Sequence, residues 1–146
     1  NRSEAEDMIQ NLKDFEEMLG AVGVQVIFGN NFMYCLIMFI PVLGPFYGSY
    51  VLYSTGRVLS AIGSAAGTDP LLLFASLFIY PHAWMEYISY SLAISESFWL
   101  LYSLSKYRLE GFRRELTNAS KAVAVCAVLL LLAAFVEVSL MQFAPT

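Results

Sequence analysis

The sequence predicts an all-α fold: a polytopic helical membrane bundle of about four spans, preceded by an extramembrane amphipathic helix. Composition predicts it first. Of 146 residues, 58% are hydrophobic, 15% aromatic and only 14% charged, whereas soluble domains carry roughly 25% charged residues. The mean hydropathy is +0.61. The second observation is the recurrence of apolar runs near the ~20 residues that a bilayer-crossing helix needs. Together these exclude a nucleic-acid binder, a disulfide-stapled secreted module and a disordered tail.

Two domains follow. Residues 1–20 place Ala5, Met8, Ile9, Leu12, Phe15 and Leu19 at spacings of three and four with charges opposite, the pattern of an amphipathic helix outside the bilayer. Residues 21–142 form the transmembrane bundle. Its first span, about 22–43, is apolar except for Gln25 and the pair Asn30-Asn31. Pro41 and then Gly44-Pro45 break it, because proline lacks the amide donor and disfavours helix before it. A hairpin turning at Gly44-Pro45 makes 46–66 the second span. That span contains Arg57 and ends in Gly63-Ser64-Ala65-Ala66-Gly67, small residues that permit close helix contact. Thr68-Asp69-Pro70 is a cap followed by proline at a helix start. The third span, about 71–103, exceeds the bilayer thickness and is expected to kink at Pro81. A basic loop follows, and 122–141 is the last span. The chain opens on Asn1 rather than methionine, so a longer protein with a further span ahead of this segment is expected.

Charge sets the orientation. Lys106, Arg108, Arg113, Arg114 and Lys121 outweigh Glu110 and Glu115 over 103–121, and lysine and arginine mark cytoplasmic loops. The expected protein is therefore a multi-pass cell-membrane protein with 103–121 cytoplasmic and with the N-terminal helix and C-terminus outside. Cys35 and Cys126 lie in apolar runs and read as small apolar fillers.

The remaining polar residues form the candidate site. A charge near the bilayer centre costs at least ~2.5–3.5 kcal/mol, so those that persist mark function by default. At ~1.5 Å per residue, this topology places Asn30, Asn31, Arg57, His82, Glu86 and Glu137 in the outer half or near the midplane. His82 and Glu86 are four residues apart, hence on one helix face. Three chemistries fit. Mutual pairing of imidazole, carboxylates and Arg57 would lock the bundle. His82, Glu86 and Glu137 are suitable donors for a divalent metal, the one cofactor the sequence suggests. Ionisable residues facing a bundle interior also serve proton or ion paths. Asn30 and Asn31 offer amides to stitch the first span to its neighbours. No nucleophilic triad, phosphate-cradling loop or Cys-x-x-Cys occurs.

In order and spacing, four elements resemble the stage II sporulation protein M family of multi-spanning membrane proteins. Ile27-Phe28-Gly29-Asn30-Asn31 resembles the family's Ile-Phe-x-Asn-Asn, and Gly44 and Gly48 the glycines after it, with Tyr53-Ser54-Thr55-Gly56 where relatives have Asn-Gly. Pro81-His82-Ala83-Trp84-Met85-Glu86 is similar to Pro-His-Gly-x-x-Glu, with Ala83 in place of glycine. Ala133-Ala134-Phe135-Val136-Glu137 resembles the closing Ala-Ala-x-x-Glu. The resemblance implies a shared core at His82, Glu86 and Glu137. The resemblance leaves the role of that core open; the sporulation member sits in a membrane complex with peptidoglycan-degrading partners, and the function expected here is a non-enzymatic membrane anchor or scaffold for partner proteins. The expected partners are the lipid bilayer and either other proteins or a second copy in a homodimer. The rival readings are an ion or small-solute transporter or channel subunit using the His/Glu/Arg cluster, and an intramembrane metal-binding protein or metalloenzyme.

Overall fold

The structure is a computed structural model that describes residues 22–143, with the backbone alone at residue 66 and at 107–112. The amphipathic helix expected over 1–20 lies outside the described residues. Four helices and no strand occur among those described: α1 (Val22–Met38), α2 (Leu43–Ala66), α3 (Pro70–Leu77) and α4 (Pro81–Phe143).

The first turn sits earlier than the sequence predicts. Tight bonds from the Phe39 amide to the Cys35 and Leu36 carbonyls and from Ile40 to Ile37 close α1 before Pro41. Leu43 already starts α2, so Gly44 and Pro45 belong to that helix's first turn. Proline is tolerated there because the early amides of a helix have no intrahelical partner. Gly44 is required by proximity. A Cβ on it would run into the Met38 carbonyl oxygen and lie 2.6 Å from Ser97 Oγ. Val42 turns the corner at φ 71°, ψ −49°, a conformation that is strained for a β-branched residue.

At the other end of α2, Gly67 adopts the left-handed conformation at φ 65° and donates its amide to the Gly63 carbonyl, the usual way a helix stops. The amide of Thr68 reaches the same carbonyl at 2.9 Å. Asp69 then caps α3 as the sequence predicts, its Oδ1 accepting from the Leu71 amide at 2.9 Å ahead of Pro70 at the first helical position.

Pro81 does more than kink the third expected span. Helix α3 ends at Leu77, the amides of Phe78, Ile79 and Tyr80 bond three residues back, and α4 departs at 82° to α3. Trp84 Nε1 donates to the Phe78 carbonyl at 2.9 Å and fixes this corner. Rings of Phe74, Trp84 and Tyr87 surround Phe78 at centroid distances of 5.4, 5.6 and 5.6 Å.

Helical backbone runs unbroken from Pro81 to Phe143, so the basic segment 103–121 is helical rather than an open loop. Its leucines, lysines, arginines and glutamates are good helix formers, and it contains no proline. The helix nevertheless folds back on itself. The Cys126 thiol lies 3.4 Å from the Ser89 carbonyl oxygen, whereas a straight helix would separate these residues by ~55 Å at 1.5 Å per residue. Two antiparallel arms result, Pro81–Lys106 and Arg113–Phe143. Small buried residues recur on both arms: Ser89, Ala93 and Ser97 at steps of four on the first, and Ala119, Ala122, Cys126 and Ala133 on the second. Such steps let backbones approach closely. The core lies here, where Cys35 and Met38 of α1 and Phe39 just after it pack against Ala93, Ala122, Cys126 and Leu130.

By length and composition one helix, Arg113–Phe143, suffices to cross a membrane, and α3 with the first arm passes as a bent pair. Of the four spans that the sequence predicts, the last meets this length-and-composition test outright and the third meets it as the bent pair. Helix α1 is apolar but short, and α2 is diluted by glycine, serine, tyrosine and Arg57. Large apolar side chains, among them Phe46, Leu71, Ile79, Val128 and Phe135, are broadly exposed, far beyond the isolated patches of a soluble monomer.

Candidate functional site

The helical corner at Pro81 brings His82 and Glu86 to the end of the bundle where α1 begins and the second arm finishes. Asn31 on α1 donates from Nδ2 to Glu86 Oε1 at 2.6 Å. This bond is charge-assisted when Glu86 is ionised, and such bonds are about twice as strong as neutral ones. Asn31, His82, Glu86 and Glu137 all line one cavity of about 620 Å³. Its other walls include Val51 of α2, Leu77 of α3 and Phe78 just after it. A neighbouring hollow of about 340 Å³ shares Tyr34, Val51, Thr55 and Leu77 with it.

Four of the six predicted site residues therefore converge, and two do not. Asn30 is exposed on α1, because its neighbour Asn31 takes the inward face and consecutive helical residues point about 100° apart. Arg57 is exposed on α2 and forms no wall of the cavity. The mutual pairing of His82 with Glu86, or of Arg57 with either glutamate, is absent among the described residues; Glu86 takes its hydrogen bond from Asn31 instead. The His82 ring lies tilted beside that of Tyr80 at a centroid distance of 5.5 Å, and its Nδ1 is buried without a hydrogen-bond partner among the described residues. Among the described residues, no three His, Cys, Asp or Glu side chains are grouped to hold a metal ion. His82, Glu86 and Glu137 share a cavity without forming a ligand set.

Sequence reasoning missed the cavity's aromatic walls and the seam beneath it. Tyr34 and Tyr90 line the cavity from α1 and the first arm, yet in the sequence they are indistinguishable from interfacial aromatics. Ser97 Oγ donates to the Ile40 carbonyl at 3.0 Å and ties the end of α1 to α4. The thiols of Cys35 and Cys126 both lie against the Ser89 carbonyl, at 3.8 and 3.4 Å. The step of four in Ser89, Ala93 and Ser97 was the available signal. The small-residue run at 63–67 serves the capping turn instead, where Gly63 meets Thr68 and Pro70.

The family model described as Stage II sporulation protein M matches residues 2–140. Neither the curated proteins nor the solved structures give a match.

Proposed function

The chain belongs to the stage II sporulation protein M family, and we propose that it acts as an integral membrane component that anchors or scaffolds partner proteins, without catalysis of its own. The observation that carries this reading is the exposure of Arg57 midway along α2. Tyr50 and Tyr53, seven and four residues earlier, are exposed on the same face. No described side chain pairs with the guanidinium. In a bilayer, an arginine facing lipid near the centre costs at least ~2.5–3.5 kcal/mol. A partner subunit that covers this face and supplies an acceptor removes that cost. The polar side chains of the interior tie helix to helix, as Asn31 to Glu86 and Ser97 to the Ile40 carbonyl, which suits a rigid platform. In the proposed orientation the basic segment 103–121 meets the cytoplasmic surface, and the cavity end of the bundle lies towards the outside.

The test is photo-crosslinking in native membranes with a benzophenone side chain at position 53. We expect a discrete protein adduct, either a partner or a second copy, that weakens with Arg57→Ala. Adducts to lipid alone would overturn the reading.

A second reading, an ion or small-solute transporter or channel subunit, is favoured by the cavity and by the 82° break beside it, since broken helices flanking polar residues build transport sites. Flux through the purified chain in liposomes, abolished by Glu86→Gln, would place it ahead of the scaffold.

A further inference from the structure

The cavity beside the Pro81 corner has a chemical character that the scaffold reading does not use. At about 620 Å³ it falls within the ~300–1,000 Å³ of pockets that enclose small organic molecules. Tyr34, Phe74, Phe78, Trp84, Tyr87 and Tyr90 wall it from α1, α3, the corner after α3 and the first arm of α4. Two carboxylates, Glu86 and Glu137, line it from opposite arms. No lysine or arginine is among the described lining residues. Asn31 satisfies one oxygen of Glu86, but an amide carries no net charge to offset two acids. Like charges in a low-dielectric site repel strongly, and a cation between them turns that repulsion into attraction. Aromatic faces attract the same kind of ion through their quadrupoles, most of all when it is desolvated. A small inorganic ion would leave most of the volume and the aromatic wall unused.

We infer that this cavity is a binding site for an organic cation with an apolar body, of the substituted-ammonium class. The positive centre sits between Glu86 and Glu137, and the apolar body lies against the rings. The inference rests on the second reading only for its transport consequence, because binding without flux leaves the site intact.

The test uses the full chain in nanodiscs of zwitterionic lipid, with benzyltrimethylammonium as the probe and neopentylbenzene as its uncharged isostere, measured by equilibrium dialysis. We expect saturable binding of the cation at one per chain and none of the isostere. Glu137→Gln should weaken binding at least tenfold, and the Glu86→Gln/Glu137→Gln pair further. Glu96→Gln, which alters an acid that does not line the cavity, should leave it unchanged. Glu137→Gln preserves the Asn31–Glu86 bond, so its result stands even if the double variant fails to fold. Absence of saturable binding, equal binding of the isostere, or equal losses from Glu96→Gln and Glu137→Gln would overturn the inference. Failure to capture a partner at position 53 would remove the scaffold and leave this site untouched.

Discussion

Asn31 Nδ2 donates to Glu86 Oε1 at 2.6 Å and joins α1 to the first arm of α4 across 55 residues of chain. This bond is the polar clasp at the cavity end of the bundle. Asn31→Ala strands a half-buried carboxylate oxygen, and we expect it to destabilise the fold by about 1–3 kcal/mol. Because removing both partners leaves nothing unsatisfied, Asn31→Ala combined with Glu86→Leu should recover part of the loss. Thermal unfolding of the detergent-solubilised variants reads both effects, and additive losses would show that the two side chains do not interact.

Two glycines should respond in opposite directions to alanine. At Gly44 the added methyl runs into the Met38 carbonyl and lies against Ser97, where the backbone cannot yield without opening the α1–α2 corner. A loss of about 1–3 kcal/mol is expected. At Gly29 nothing lies within 4 Å, and alanine should add about 0.5–1 kcal/mol through helix propensity. Equal effects in unfolding experiments would contradict the close packing at Gly44.

Val42 holds φ 71° on an exposed corner. Strain in such a region costs of order 1–3 kcal/mol, more than the ~0.5–1 kcal/mol that a glycine loses in chain entropy. Val42→Gly is therefore expected to raise the unfolding midpoint, and a lowered midpoint would show that the turn is unstrained.

The fold-back of α4 is a distance prediction. Nitroxide labels at Ile88 and Val128, both exposed, should lie within about 30 Å by pulsed dipolar spectroscopy, whereas a straight helix would hold them ~60 Å apart. A distribution centred near the longer value would refute the antiparallel arms.

The thiols of Cys35 and Cys126 are fully buried against the Ser89 carbonyl. Maleimide should label neither in the native protein and both in sodium dodecyl sulfate. Rapid native labelling at either position would place it outside the core.

The sequence by itself determined what depends on local chemistry. Charge scarcity and apolar runs pointed to helices, and the described residues form helices without a strand, one of them long and apolar enough to cross a membrane. Asp69-Pro70 marked the start of α3 through capping, which needs only neighbouring residues. The spacing of His82 and Glu86 put both on one face, and both line the cavity. Only the tertiary structure could decide which polar residues meet. Asn30 and Asn31 are alike in type and adjacent in the chain, and the rotation of α1 against α4 alone turns one to Glu86 and the other outward. Arg57 faces outward for the same reason: the face of α2 packed on its neighbours is set by Gly44 and Gly48 against Ser97 and Ile94, contacts about fifty residues away in sequence. The return of the second arm, which brings Glu137 to the cavity that Glu86 lines, likewise depends on small residues on two helices fitting together. That complementarity belongs to no single segment, so no local pattern records it.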